Sequence, residues 1–398
     1  MVVDGPSTKT QLPSVSTRLP LSRRTGQTLK HQRVTSRSTL KVEEAEDEPA
    51  LKKRRTSSVP PEEANVDEEK DSEARIAAEL QAYAEAPLEA DPDGDEWDDL
   101  DAEDADDPVM VSEYVVEIFN YLKGVEQTTM ANPTYMESQK ELAWKMRGIL
   151  TDWLVQVHVR FRLLPETLFL AVNIIDRFLS ARVVSLAKLQ LVGITCMFIA
   201  AKFEEIVAPS VMHFLQCADS SYNETEILQA EKYVLKTLGW NMSYPNPVHF
   251  LRRISKADDY DIKVRTLAKY LLEIACLEWR LIAFPPSQLA GASVWLARLA
   301  LGKFEWTANL AHYSSYKESS LMPVVNIMIN YLLKPIRHDS FFKKYAGKRF
   351  LKSSSYMREW VTDRWQENDQ VQLEKELPRL RAECLAARMR DPSEELAL

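Results

Sequence analysis

One arginine sits in a stretch that otherwise suits a buried helix. The run Met146-Arg147-Gly148-Ile149-Leu150-Thr151-Asp152-Trp153-Leu154 is mostly apolar around Arg147. A guanidinium does not lose its proton in a protein, so a buried one needs an anionic partner. The nearest fit is Asp176, inside a second apolar helical run, Ile174-Ile175-Asp176-Arg177-Phe178-Leu179. A buried Arg147–Asp176 pair satisfies both charges, and removing one member costs roughly 3–5 kcal/mol. Met146, Ile149, Leu150 and Trp153 recur at spacings of three, four and seven, which places them on one helical face. That face is either core or a groove for something else.

Helical periodicity continues from about 138 to 361 with short breaks. The pattern predicts helices over 138–162, 165–181, 186–203, 209–217, 223–238, 246–257, 261–283, 287–301, 306–313 and 321–334. Pro165-Glu166-Thr167 and Pro286-Ser287 open two of them, and Asn223-Glu224-Thr225-Glu226 reads as a cap with acids in the first turn. Pro245 and Pro247 mark a joint. No run alternates as strands do, so the expected class is all-α. The bundle also repeats itself. Gln190-Leu191-Val192-Gly193-Ile194-Thr195 returns as Gln288-Leu289-Ala290-Gly291-Ala292-Ser293, and Lys202-Phe203-Glu204 as Lys303-Phe304-Glu305. Each copy carries closely spaced small residues: Gly193, Cys196 and Ala200 in one, Gly291, Val294 and Ala297 in the other. Small residues let neighbouring helices approach, as a central helix requires. The simplest architecture is two five-helix units, 138–243 and 244–361, each built around one such helix.

Charge divides the rest of the chain. Residues 1–42 carry a net +7, 43–107 a net −20, and 108–398 a net +4, so the overall −9 belongs to one segment. Residues 1–107 have few large aliphatics and too little apolar surface to offset the cost of ordering, and are expected to be a disordered regulatory arm. Within it, Lys52-Lys53-Arg54-Arg55 is either a nuclear-import signal or a solvated charge run. Pro108 suits a helix start, and Val111, Tyr114, Val115, Ile118, Tyr121 and Leu122 then predict one amphipathic helix over 108–124. The tail, 362–398, is charged and helix-prone, with Leu373, Leu377 and Leu380 at helical spacing and Pro378 interrupting it. Nothing in the tail points to a function.

Enzyme chemistry finds little support. Ten glycines argue against glycine-rich phosphate loops, and GxxxxGK[ST], GxSxG and HExxH are all absent. The histidines at 31, 158, 213, 249, 312 and 338 stand singly, without ligand spacing. Neither a metal nor a cofactor is expected. Cys196, Cys217, Cys276 and Cys384 lack CxxC spacing, and most lie in apolar runs, as buried thiols in a reducing compartment would. No signal peptide or membrane span is expected.

Several of these stretches, taken in order, resemble the cyclin box. They are Met146–Leu154, Asp176-Arg177-Phe178-Leu179, Ala201-Lys202-Phe203-Glu204-Glu205-Ile206, and Glu231 ahead of Val234-Leu235-Lys236-Thr237-Leu238. The second half is similar to B-type mitotic cyclins, through His249–Ala257, Leu267-Ala268-Lys269-Tyr270-Leu271 and Phe284-Pro285-Pro286-Ser287-Gln288. Glu96-Trp97-Asp98-Asp99-Leu100-Asp101 is similar to fungal members. The likeness spans about 108–361.

The resemblance implies a non-catalytic subunit that activates a cyclin-dependent kinase at the G2/M transition, in nucleus and cytoplasm. Such a subunit docks on the kinase small lobe and completes its Lys–Glu pair. It implies kinase contacts at Lys202, Glu205 and Glu231, apolar ones at Phe203, Leu235 and Trp240, and outer ones at Tyr114, Ile118 and Tyr121. Met146, Ile149, Leu150, Trp153 and Gln190 match a groove for Arg-x-Leu peptides of substrates and inhibitors. Gln156 stands where an acid is often found, which mutes that groove toward arginine. Arg252, Arg265 and Lys269 match a phosphate pocket of B-type members; otherwise they are a solvated basic face.

Degradation through a ubiquitin ligase is expected from kinship. Only short Arg-x-x-Leu forms occur, at Arg18–Leu21 and Arg37–Leu40, and no Ser-Pro or Thr-Pro is present. A cyclin-fold transcription factor is the alternative. A bundle region of only +4 disfavours it, so neither nucleic acid nor membrane is expected as a direct partner.

Overall fold

The computed structural model describes residues 89–219 and 221–390, with only the backbone at Arg390. Arg18–Leu21, Arg37–Leu40 and Lys52–Arg55 lie outside the described residues. Among those described there are fourteen α-helices and no strand. Helix α1 spans Val115–Thr129. The first repeat follows as α2 (Trp144–Phe161), α3 (Pro165–Ala181), α4 (Leu186–Glu204), α5 (Val211–Cys217) and α6 (Glu224–Thr237). The second is α7 (Pro247–Lys256), α8 (Ile262–Leu277), α9 (Pro286–Ala300), α10 (Ala308–Ser314) and α11 (Glu318–Leu332). Beyond it come α12 (Asp339–Tyr345), α13 (Ser353–Thr362) and α14 (Leu373–Arg390).

The duplicated motif marks the two central helices. Helix α4 packs against α2, α3, α5 and α6, and α9 against α7, α8, α10 and α11. A Cβ added at Gly193 would sit 2.7 Å from Leu150 Cδ1, and one at Gly291 would sit 3.1 Å from Leu321 Cδ2. Glycine at each position therefore sets how closely the neighbouring helix lies. By length and hydropathy α4 alone among the described helices is apolar enough to cross a membrane. Its surroundings account for that composition, because Leu191–Ala201 is buried throughout among four helices.

Arg147 is buried, and its charge is met. Nε donates to Asp176 Oδ1 and Nη2 to Asp176 Oδ2, both at 2.7 Å, a two-pronged bond. Tyr135 Oη adds a third bond to Asp176 Oδ1 at 2.9 Å. The remaining guanidinium nitrogen, Nη1, donates to the Cys276 carbonyl at 2.9 Å, at the end of α8. One side chain thus joins α2, α3 and the second repeat.

Several expected boundaries move. Helix α1 begins at Val115 and not at Pro108. Asp107 Oδ1 instead accepts the Val109 amide in a local turn, and Val111 adopts a left-handed backbone (φ 53°) that no helix can pass through. The segment 138–162 starts late, at Trp144, after a 3-10 turn over Tyr135–Ser138. The segment 261–283 breaks at Glu278, whose side chain accepts the Arg280 amide and opens a separate 3-10 turn, Trp279–Ala283. Pro378 does not interrupt the tail. It falls in the second turn of α14, where it removes one early backbone bond, and Val371, Leu373 and Leu380 are buried. Asn330 ties Val371 at both its amide and its carbonyl, which docks the tail on α11. Cys196 and Cys276 are buried, whereas Cys217 and Cys384 are only half-buried.

The largest departure concerns residues 89–107. They were expected to be disordered for want of apolar surface. Instead they run along the second repeat with Trp97, Leu100 and Asp101 in contact with it. Attraction between charges and one aromatic stack replaces the missing apolar area.

Candidate functional site

The first repeat presents an apolar rim to solvent around one charged pair. At the end of α4, Lys202 pairs with Glu231 of α6, and its ammonium also lies 4.5 Å from the Phe198 ring. Glu231 is largely buried while Lys202 is exposed. Phe203 is exposed beside Lys202 in sequence, and Leu235 is half-buried one turn after Glu231. Gly239 and Trp240 are both left-handed (φ 59° and 61°), which ends α6 sharply. Trp240 is left 67% exposed, an unusual state for tryptophan.

Ile206 and Val207 extend this rim. They are 101% and 85% exposed, the largest values for their residue types on the described surface. In sequence Ile206 stands only as the end of a motif, and Val207 does not stand out. The available signal was two β-branched residues outside any helical stripe, just ahead of Pro209. Glu205 behaves differently from its neighbours. Its Oε1 accepts the Leu164 amide (2.7 Å) and the Thr167 hydroxyl (2.5 Å), so the carboxylate caps α3. Tyr114 and the α1 residues Ile118 and Tyr121 are exposed.

The stripe on α2 divides. Ile149 is exposed, Met146, Trp153 and Gln190 are half-buried, and Leu150 is buried against Gly193. Leu150 therefore belongs to the core more than to a groove. Successive residues on a helix are about 100° apart, so Ile149 and Leu150 face different surroundings. Gln156 is exposed, and its amide donates to Ser340 Oγ at 2.7 Å. Nearby, Asp152 accepts the Ser340 and Phe341 amides and caps α12. The groove edge is thus joined to α12, which sequence spacing did not indicate.

Arg252, Arg265 and Lys269 come together around an acid. Arg252 forms an ion pair with Glu166 at the start of α3. Burial holds the Lys269 ammonium below its usual range, and the charges of Arg265 and Arg252 add to that, with Glu166 opposing. Three cations beside one carboxylate leave the cluster with an excess of positive charge. In sequence Glu166 shows only as a helix-start residue.

Comparison with known proteins identifies the two repeats. The family model described as the cyclin N-terminal domain matches residues 117–243, and that for the cyclin C-terminal domain matches 245–359. The chain belongs to the cyclin family. Fungal mitotic members are among its relatives. It is 63% identical over 270 residues to the G2/mitotic-specific cyclin cdc13 of Schizosaccharomyces pombe, which covers 68% of this chain and 56% of that protein. It is 58% identical over 263 residues to G2/mitotic-specific cyclin-B of Emericella nidulans, covering 66% of this chain and 55% of that one. With G2/mitotic-specific cyclin cig2 of S. pombe, identity is 42% over 310 residues, with 76% of this chain and 75% of that protein covered. The chain spans about half the length of most of the curated relatives it matches. The two repeats of the fold are the two cyclin boxes.

Proposed function

We propose that this cyclin is the regulatory subunit of a cyclin-dependent Ser/Thr kinase, acting at the G2/M transition without catalysis of its own. The observation that carries the reading is the Lys202–Glu231 pair set in an exposed apolar rim of Phe203, Ile206 and Trp240. Exposed aromatics around a few directional polar groups suit a protein–protein contact. On this reading the rim and the outer face of α1 meet the kinase small lobe and complete its Lys–Glu pair. Mixing the chain with a cell-division kinase is expected to stimulate histone phosphorylation. Absence of stimulation, together with salt-sensitive DNA binding, would favour a transcription factor instead.

Met146, Ile149 and Trp153 with Gln190 then form a docking groove for Arg-x-Leu peptides of substrates or inhibitors. Gln156 at its edge offers an amide where a carboxylate would attract the peptide arginine. The Gln156→Glu variant is expected to bind an Arg-x-Leu peptide about 2–5-fold more tightly, the size of one exposed ion pair. Fluorescence anisotropy with a labelled peptide measures this, and unchanged or weaker binding would count against the groove.

Arg252, Arg265 and Lys269 serve as the site for a phosphate on primed substrates. Combining Arg252→Ala with Arg265→Ala is expected to slow phosphorylation of primed substrates about tenfold and to spare unprimed ones. Equal slowing of both classes would point to a structural role. Nuclear and cytoplasmic residence and ubiquitin-dependent turnover follow from the same reading.

A further inference from the structure

Residues 89–107 contain twelve acids and no lysine or arginine, and all of them lie ahead of the family matches, which begin at residue 117. They nevertheless occupy a built site on the second box. The Trp97 ring stacks on His312 with centroids 3.6 Å apart and meets Tyr313 edge-on at 6.2 Å. The Asp98 amide donates to Asn309 Oδ1 at 2.8 Å, and Asn309 Nδ2 returns a bond to Asp98 Oδ2 at 2.9 Å. The Leu100 amide donates to the Tyr313 hydroxyl at 2.8 Å. Asp101 bridges Arg253 and Lys256 of α7, and Asp104 adds a second bond to Lys256. Farther up, Asp91 pairs with Lys317.

These contacts cover groups that are normally solvated. The side chains of Arg253 and Lys256 are only 11% and 9% exposed. Burial alone would raise the Asp101 carboxyl, yet hydrogen bonds from Arg253 and Lys256 hold it below its usual range. Arg253 does a second thing. Its guanidinium lies over the Tyr313 ring at 4.5 Å and over the Phe119 ring of α1 at 5.4 Å, and Phe119 meets Phe250 of α7 edge-on at 5.8 Å. The buried residues of α1 are Glu126 and Thr129, both at its C-terminal end. Its N-terminal half, which carries Ile118 and Tyr121, is therefore held mainly through Phe119 and Leu122, and Arg253 covers Phe119.

We propose that the second box carries a receptor face for an acidic–aromatic peptide, filled in cis by Asp91–Asp104, and that its occupancy aligns α1 for the kinase through Arg253. The proposal rests on the kinase reading only for its last step. The segment is a clasp: Trp97 fixes its place on α10, Asp101 and Asp104 neutralise α7, and the neutralised Arg253 stays over Phe119. With the clasp off, Arg253 and Lys256 regain water and α1 loses its upper anchor. Arg253 is a positioning residue and need not touch the kinase.

The test uses the full chain carrying Trp97→Ala, Asp101→Asn and Asp104→Asn together. None of the three lies on the outer face of α1. In the parent chain the Asp98 and Leu100 amides are expected to be protected from hydrogen exchange, because each donates to a side chain of α10. In the triple variant that protection is lost, amides across 115–123 exchange at least about fivefold faster, and kinase affinity falls about 5–10-fold with the unfolding midpoint of the boxes unchanged. Unprotected Asp98 and Leu100 amides in the parent chain, or α1 exchange unmoved in the variant, would overturn the clasp. A parent chain that binds no kinase while α1 still responds would overturn the kinase reading and leave the clasp standing.

Discussion

The Arg147→Ala variant is expected to lose about 3–5 kcal/mol of folding stability, a large part of the roughly 5–15 kcal/mol that ordinary domains possess. The cause is not simply the loss of a favourable contact. Asp176 is buried on α3, and without the guanidinium its charge would face only the Tyr135 hydroxyl. Arg147→Lys is expected to rescue little, because an ammonium cannot make the two-pronged bond to Asp176 and also reach the Cys276 carbonyl. Arg147→Met combined with Asp176→Leu is expected to recover part of the loss, since no unpaired charge remains. Urea denaturation followed by far-ultraviolet circular dichroism measures all three. A cost below about 1 kcal/mol for Arg147→Ala would show that water reaches Asp176 and that the pair is not dry.

The second large effect concerns the partner. Lys202→Ala with Glu231→Ala is expected to weaken kinase binding at least about 100-fold. Hydrogen bonds from charged groups are each worth about 1.5–3 kcal/mol when their partner is buried in an interface, and two would be lost. Folding is expected to change by no more than about 1 kcal/mol, because the Lys202 side chain is 45% exposed and the pair is screened by water. Isothermal titration against the kinase, with circular dichroism as the control, separates the two quantities. Near-parental affinity in a folded double variant would remove the main support for the proposed interface. In the free chain each member is the other's partner, and each keeps spare capacity: Lys202 two further N–H donors, Glu231 its second oxygen.

What could be read from the residues followed from local chemistry. Arg147 and Asp176 were paired because each is a charge among apolar neighbours, and that pattern survives without coordinates. The two central helices were legible because Gly193 and Gly291 recur in matching hexapeptides. The Cys276 carbonyl was not legible, since a backbone acceptor leaves no trace in side-chain identity. Leu150 was grouped with Ile149 because spacing alone does not resolve the two sides of a broad stripe. Glu166 was hidden behind Pro165, whose helix-start signal accounted for it completely. The clasp was missed for a different reason. Composition weighs how much apolar surface a segment can bury on its own, and residues 89–107 have little. Their complement is Arg253, Lys256 and Lys317, more than 140 positions away in the sequence.

The bond from Arg147 to the Cys276 carbonyl also bears on how far the two boxes are separable parts. The chain reads as a duplication, with a proline-flanked seam near Tyr244 that invites excision of either half. Yet the most deeply buried cation of the first half completes its coordination on the main chain of the second. Severing the chain at the seam would strand a guanidinium donor on one fragment and a bare helix end on the other. The duplication has thus acquired a cross-brace, and each copy cut from the other would carry an unmet polar group where that brace now lies.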